Sequence, residues 1–297
     1  MSSTPTFAHA IRHVLAEALD RDARVVVLGE TVGRLGGVGG STEGLARAHP
    51  ERVRDLPIAD RGTVGLAVGM AIGGQRPVVC LESSSRLASV LAPLADGSAI
   101  ADRGEFGVPL VVRVPVGDEG PPLDQPTGAL LADVPGLRVV SPADAGMAAG
   151  LLRWALAQSH PTVILEPRSR YGHRAPMGGD AVEPRARLLR TGHHVTLAAW
   201  GAGVATASQA AEALARDGIE ADVLDLVSLA PLDAEVLGER VRATGRLVAV
   251  HGGDAAWGER VRQQGTDAAF LYLEAPIGMA PAHHQPVIDA ARAAVTY

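Results

Sequence analysis

Short β-branched runs alternate with longer Ala/Leu-rich stretches along almost the whole chain, and no other feature of the sequence restricts the fold so much. That alternation is the pattern of a mostly parallel sheet covered by helices. Strands are expected at 24–29, 53–56, 77–81, 110–114, 137–140 and 162–166. A helix over 7–19 places Ile11, Val14, Leu15 and Ala18 on one face. Ser141-Pro142-Ala143-Asp144 ahead of an Ala/Leu run reads as a helix start with a cap, a proline and a first-turn acid. From 167 to 190 the text turns Arg/Pro/Gly-rich and loses periodicity, as a linker does. A second α/β unit should follow, with strands at 194–199, 221–226, 247–250 and 270–273 and helices at 204–216, 233–243 and 287–295. At 297 residues there is length for two cores, so the expected organisation is a first domain over 1–175, a linker over 176–190 and a smaller domain over 191–297.

Composition removes several classes of function. No apolar run approaches the roughly 20 residues of a membrane helix. The N-terminus lacks the basic start, apolar run and cleavage site of a signal peptide, so the cytoplasm is the expected compartment. Cys80 is the single cysteine and forms no intrachain disulfide. It falls in a predicted core strand, where a free cysteine acts as a small apolar residue, and no nearby basic residue supports it as a nucleophile. The adjacent pairs His193-His194 and His283-His284 lack a further spaced ligand and read as solvated loop residues, not a metal site. All 27 basic residues are arginine, and lysine and asparagine are both missing, which excludes a P-loop, a Schiff-base enzyme and N-glycosylation. A net charge of −6, no basic block and nine aromatic residues argue against nucleic-acid partners.

Two segments invite a chemical reading. Gly33-Arg-Leu-Gly-Gly-Val-Gly-Gly40 follows the strand that ends in Gly29-Glu30, and glycines here either cradle a phosphate or let backbone pack tightly. The dinucleotide fingerprint fails, because Thr42 stands where Gly37 and Gly39 would need their third glycine; Thr206 fails Gly201 and Gly203 in the same way. The second segment runs from Asp55 through Asp60 to Gly74. Asp60 should lie at the C-terminal edge of the sheet, where open α/β folds bind ligands, and its plain structural role would be a helix N-cap. Gly65, Gly69 and Gly73 put one glycine per turn on one helix face, suited to close packing against another helix or subunit.

The chain resembles the beta subunit of the decarboxylating component of 2-oxo acid dehydrogenase complexes, of the pyruvate and branched-chain type. The resemblance is carried over nearly the whole chain by VVVLGETVGRLGGVGGSTEGL, RDLPIADRGTVGLAVGMAIGGQRPVV, VPGLRVVSPADAGMAAGLL, PTVILEP, IEADVLDLVSLAPLD and TGRLVAVH. It implies a transketolase-like pyrimidine-binding domain followed by a transketolase C-terminal domain. It also implies an alpha-like partner and an α2β2 heterotetramer holding thiamine diphosphate at each alpha–beta interface. Alpha would supply the diphosphate and Mg2+ site, whose Gly-Asp-Gly start and closing Asn are both missing here, and this chain the aminopyrimidine pocket.

Departures from the family pattern fall at that pocket. The motif Pro-Ile-x-Glu-x-Gly appears as Pro57-Ile58-Ala59-Asp60-Arg61-Gly62, so Asp60 takes the place of the glutamate that hydrogen-bonds a ring nitrogen, with Glu30 in support. Ser83 and Arg86 stand where aromatics pack on the pyrimidine, and a guanidinium can stack on a ring in their stead. Leu123-Asp124-Gln125 replaces His-Ser-Gln, so Gln125 remains as a pocket residue while the histidine is lost, and Asp133 also stands where histidine is frequent. The Thr-Gly-Pro-Asp segment expected after Ala275-Pro276 is missing, which leaves docking to an acyltransferase core unsupported. Two functional readings follow: a subunit of a thiamine-diphosphate enzyme acting on a 2-oxo acid or ketol, and a catalytically silent scaffold that keeps fold and interface.

Overall fold

The computed structural model describes residues 4–117, 128–252 and 255–297, and the chain forms two compact units that meet in sequence at Glu183 and Pro184. In the first unit the order is α1 (Phe7–Arg21), β1 (Val25–Gly29), α2 (Leu45–Ala48), β2 (Val53–Asp55), α3 (Asp60–Ile72), β3 (Arg76–Cys80), α4 (Leu87–Asp102), β4 (Val111–Val116), β5 (Arg138–Val140), α5 (Ala145–Ala157) and β6 (Thr162–Pro167). These six strands lie in the order β5-β6-β4-β3-β1-β2, and the pairs among them are parallel. Strands β1 and β6 are buried along their full length, which is why they read as continuous apolar runs without alternation. The helices pack as pairs, α1 on α5 and α3 on α4. Ile11, Val14 and Leu15 enter the core as expected, Ala18 is half-buried, and Leu19 completes the face.

The order has a mechanical consequence. The chain leaves β1 for its neighbour on one side, β2, and later places β3 on the other side of β1. Connections from β1 and β3 therefore diverge, and a crevice opens between their C-terminal ends, the topological switch point where such sheets hold ligands. The register Gly29↔Cys80 brings the two strand ends together there. Gly29 allows it, since a Cβ at that position would lie 2.6 Å from the carbonyl oxygen of Cys80.

The second unit contains β7 (Arg187–Arg190), β8 (Val195–Ala199), α6 (Gly203–Arg216), β9 (Ala221–Asp225), β10 (Ser228–Ala230), α7 (Ala234–Thr244), β11 (Leu247–His251), α8 (Ala255–Ala269), β12 (Gly278–Pro281) and α9 (His284–Thr296). Its sheet runs β12-β11-β8-β9-β7, parallel except for β7 against β9. Asp222 is buried in β9 and is held by Arg240 at 2.8 and 3.1 Å.

Three local expectations are corrected. Residues 270–273 are not a strand: Phe270–Tyr272 winds a 3-10 turn with exposed side chains, and Gly278–Pro281 supplies the neighbour of β11. A short apolar run carries no periodicity able to separate the two outcomes. The segment 187–190, placed in the linker, is strand β7, whose Arg-Leu-Leu-Arg pattern owes its extension to pairing with β9. At the start of α5, Asp144 is the cap, accepting the Met147 amide at 2.8 Å, while Ser141 donates to the Leu165 carbonyl at 3.0 Å. The capping oxygen has to lie one residue before the first helical turn, and Ser141 is too far upstream.

Candidate functional site

At the switch point three elements deliver one charged side chain each. Glu30 follows β1, Asp60 opens α3 after β2, and Arg86 ends the short 3-10 turn Ser84–Arg86 between β3 and α4. Arg86 Nη1 donates to Glu30 Oε1 and, at 3.3 Å, to Asp60 Oδ2. The Asp60 side chain is 7% exposed, that of Glu30 14% and that of Arg86 35%. Burial works to lower the Arg86 pKa, but the hydrogen bond to Glu30 and the charge of Asp60 outweigh it, and the pKa is raised. Two carboxylates share one cation in a crevice of low exposure, which leaves the cluster with one net negative charge.

Asp60 is not a cap. Ala59 holds the cap position without a side-chain hydrogen bond, and Asp60 is the first residue of α3. Its carboxylate benefits from the positive end of the helix dipole and is directed to Arg86. Of the other expected pocket residues, Ile58 is 72% exposed beside this edge, between β2 and α3. Ser83 caps the 3-10 turn, its Oγ accepting the Ser85 amide at 3.2 Å. Gln125, with Leu123, lies outside the described residues. The structure thus brings together Glu30, Asp60 and Arg86.

Beneath the crevice lies a polar network that sequence reasoning missed. Arg113 of β4 donates to Glu166 of β6 through Nε at 2.7 Å and Nη2 at 2.9 Å, to Ser41 Oγ at 3.0 Å and to Cys80 Sγ at 3.3 Å. Tyr171 donates to Glu166 Oε2 at 2.6 Å. Arg113 and Glu166 are 3% and 1% exposed. The signal was a charged residue inside the valine run VVRVPV, which a buried strand accepts only with a partner. The reading that Cys80 has no basic neighbour is therefore corrected, since Arg113 comes from an adjacent strand by register, not by sequence. Burial nonetheless pushes the Cys80 thiol up, with Arg113 opposing only in part, so the cysteine stays a structural thiol.

The glycine loop between β1 and α2 packs tightly. Gly39 has a φ of 63°, and a Cβ there would sit 2.3 Å from Tyr171 Cδ2. Asp55 receives the Gly33 and Arg34 amides at 2.6 and 3.1 Å, so two donors that a phosphate would use are already engaged. Along α3, apart from the adjoining residues and the helix's own backbone, no atom of the described residues lies within 4 Å of a Cβ placed at Gly65 or Gly69. Among the described residues no group of three or more His, Cys, Asp or Glu side chains is arranged to hold a metal ion. No helix among them is long and apolar enough to cross a membrane.

Comparison with known proteins agrees with this architecture. The profile of the transketolase pyrimidine-binding domain matches residues 3–174, and that of the transketolase C-terminal domain matches 185–295. The chain is 34% identical over 288 residues to the mitochondrial pyruvate dehydrogenase E1 component subunit beta-1 of Arabidopsis thaliana, covering 92% of this chain and 79% of that one. It is also 34% identical over 286 residues to the pyruvate dehydrogenase E1 component subunit beta of Leifsonia xyli, covering 90% and 83%. The chain belongs to the E1 beta-subunit family. That family provides subunits of thiamine-diphosphate-dependent enzymes on a transketolase-like fold. A solved split-gene transketolase, described as an inactive beta4 tetramer, superposes with a TM-score of 0.80 over 99% of both chains at 22% identity, which concerns the fold alone.

What the crevice offers a planar nitrogen heterocycle is a carboxylate beside a guanidinium. A ring nitrogen that carries a proton donates to a carboxylate, and Asp60 offers one at the sheet edge. The planar group beside that carboxylate is the Arg86 guanidinium, where the family pattern has an aromatic ring.

Proposed function

We propose that this E1 beta-like chain is one half of a split thiamine-diphosphate enzyme. It would act on a 2-oxo acid or ketol, by decarboxylation or cleavage, and transfer an acyl or two-carbon unit. It is active only with an alpha-like partner, in an α2β2 assembly that works in the cytoplasm. The observation that carries the reading is the convergence of Asp60, Glu30 and Arg86 at the switch point of a parallel sheet.

Thiamine diphosphate, when bound, supplies the carbon nucleophile for the substrate's oxo carbon; its diphosphate and Mg2+ are assigned to the partner. Asp60 would share one proton with the ring nitrogen, donating it from the carboxyl and accepting it back from the protonated ring, the role of a positioned acid–base group. Glu30 sets the Arg86 guanidinium and through it the charge around Asp60. Ile58 offers the ring an apolar side, Ser83 is assigned to the same pocket, and Gln125 is assigned to it from the sequence resemblance alone. The aspartate is one methylene shorter than glutamate, a displacement of about 1 Å that on this reading the backbone at the start of α3 makes up.

The experiment is calorimetric titration of thiamine diphosphate with Mg2+ into the chain alone and into the chain co-purified with its alpha-like partner. Saturable binding only in the complex is expected. Asp60→Ala should lower cofactor-dependent turnover by roughly 10²-fold or more. A well-folded complex that binds no cofactor would overturn the reading. That outcome would favour the silent scaffold, which gains support from Arg86 already covering Asp60.

A further inference from the structure

Arg86 Nη1 donates to Asp60 Oδ2, one of the two oxygens that the carboxylate can offer a ring nitrogen. Asp60 is nearly covered, with its Oδ2 facing Arg86 Nη1 at 3.3 Å, whereas Glu30 lies closer to the same nitrogen. Arg86 itself is about one-third exposed and ends a short 3-10 turn. The cluster holds two negative charges against one positive, so Arg86 remains paired when one carboxylate is taken from it. Resting on the cofactor reading above, we propose that Arg86 is a latch on the pyrimidine pocket. Glu30 is its anchor, Asp60 is the end that releases, and an incoming aminopyrimidine, protonated at its ring nitrogen, replaces Nη1 as the donor to Asp60 Oδ2. The exchange swaps one hydrogen-bond donor for another; the ring nitrogen takes its proton from water, and no other bond changes.

The latch predicts effects of opposite sign at its two ends. Removing the cation in Arg86→Leu uncovers Asp60 and should tighten thiamine diphosphate binding about tenfold, or about 1.4 kcal/mol. Removing the anchor charge in Glu30→Gln leaves Arg86 wholly to Asp60 and should weaken binding several-fold. A residue that only supports the fold would weaken binding in both variants. The measurement is calorimetric binding of thiamine diphosphate with Mg2+ to the complex with the alpha-like partner, for wild type, Arg86→Leu, Glu30→Gln and Asp60→Ala. Thermal melting reports whether each is folded, and Arg86→Gln replaces Arg86→Leu should the latter not fold. Tighter binding by the Arg86 variant with weaker binding by the Glu30 variant supports the latch. Unchanged or weaker binding by a folded Arg86 variant overturns it. If Asp60→Ala still abolishes binding in that case, the cofactor reading survives and Arg86 is a stacking or structural group. If no folded complex binds at all, both proposals fall together.

Discussion

Replacing Glu166 by glutamine tests the buried network more sharply than any deletion, because the shape is kept and only the charge and one acceptor are removed. Glu166 takes three hydrogen bonds: Arg113 Nε on Oε1, and Arg113 Nη2 and Tyr171 OH on Oε2. In glutamine one of the two oxygens becomes NH2. Placed at the Oε1 position it faces Nε, and placed at Oε2 it faces both Nη2 and the tyrosine hydroxyl, so at least one donor meets a donor in either orientation. Arg113 is then left at 3% exposure with its counter-charge gone. Breaking a buried pair in this way costs about 3–5 kcal/mol. For a unit of this size, at about 2–4 °C per kcal/mol, the melting temperature should fall by roughly 6–20 °C. Differential scanning calorimetry reads the change directly. The double variant Arg113→Met with Glu166→Gln should recover much of the loss, since no unpaired charge remains and the amide oxygen can still accept from Tyr171. A Glu166→Gln protein melting within about 2 °C of wild type, or a double variant as unstable as the summed singles, would refute the account of this network as a coupled, charge-balanced unit.

Two further perturbations probe the glycine loop and the exposed end of α1. Gly39→Ala forces a Cβ against Tyr171 at a positive φ, and with about 1–2 kcal/mol of backbone strain plus about 1–3 kcal/mol of overpacking it should lower stability by about 2–5 kcal/mol in denaturant titration; a loss under about 1 kcal/mol would mean that the loop relaxes freely. The hydrogen bond from Arg24 holds the Asp22 carboxyl down to about 2, below its ordinary 3.8, so its contribution is complete above pH 4 and is lost as pH falls toward 2; Asp22→Asn should flatten the acid limb of the stability curve there, and an unchanged slope would count against the pair.

Much of the fold was legible in the sequence because the information is local. A buried parallel strand needs a run of apolar residues and a crossover helix needs a 3.6-residue stripe, and both are written within 5–15 neighbouring residues. Strands β1 to β6 and the face of α1 follow directly, as does the placing of Asp60 at the C-terminal sheet edge. The errors lie where local text is silent. Phe270–Tyr272 has strand-like composition, but β12 takes the place beside β11, and β7 is a strand only through its partner β9.

The charged chemistry was decided by tertiary structure. Arg86 is 26 residues from Asp60 and 56 from Glu30, and Arg113 is 53 from Glu166. No periodicity links positions so far apart; strand order and register do. The sequence by itself determined which residues must leave water, since hydrophobic burial depends on each side chain and its near neighbours. Which buried cation meets which carboxylate depended on the order β5-β6-β4-β3-β1-β2, because hydrogen bonds act over about 3 Å and only the assembled sheet brings those groups within reach.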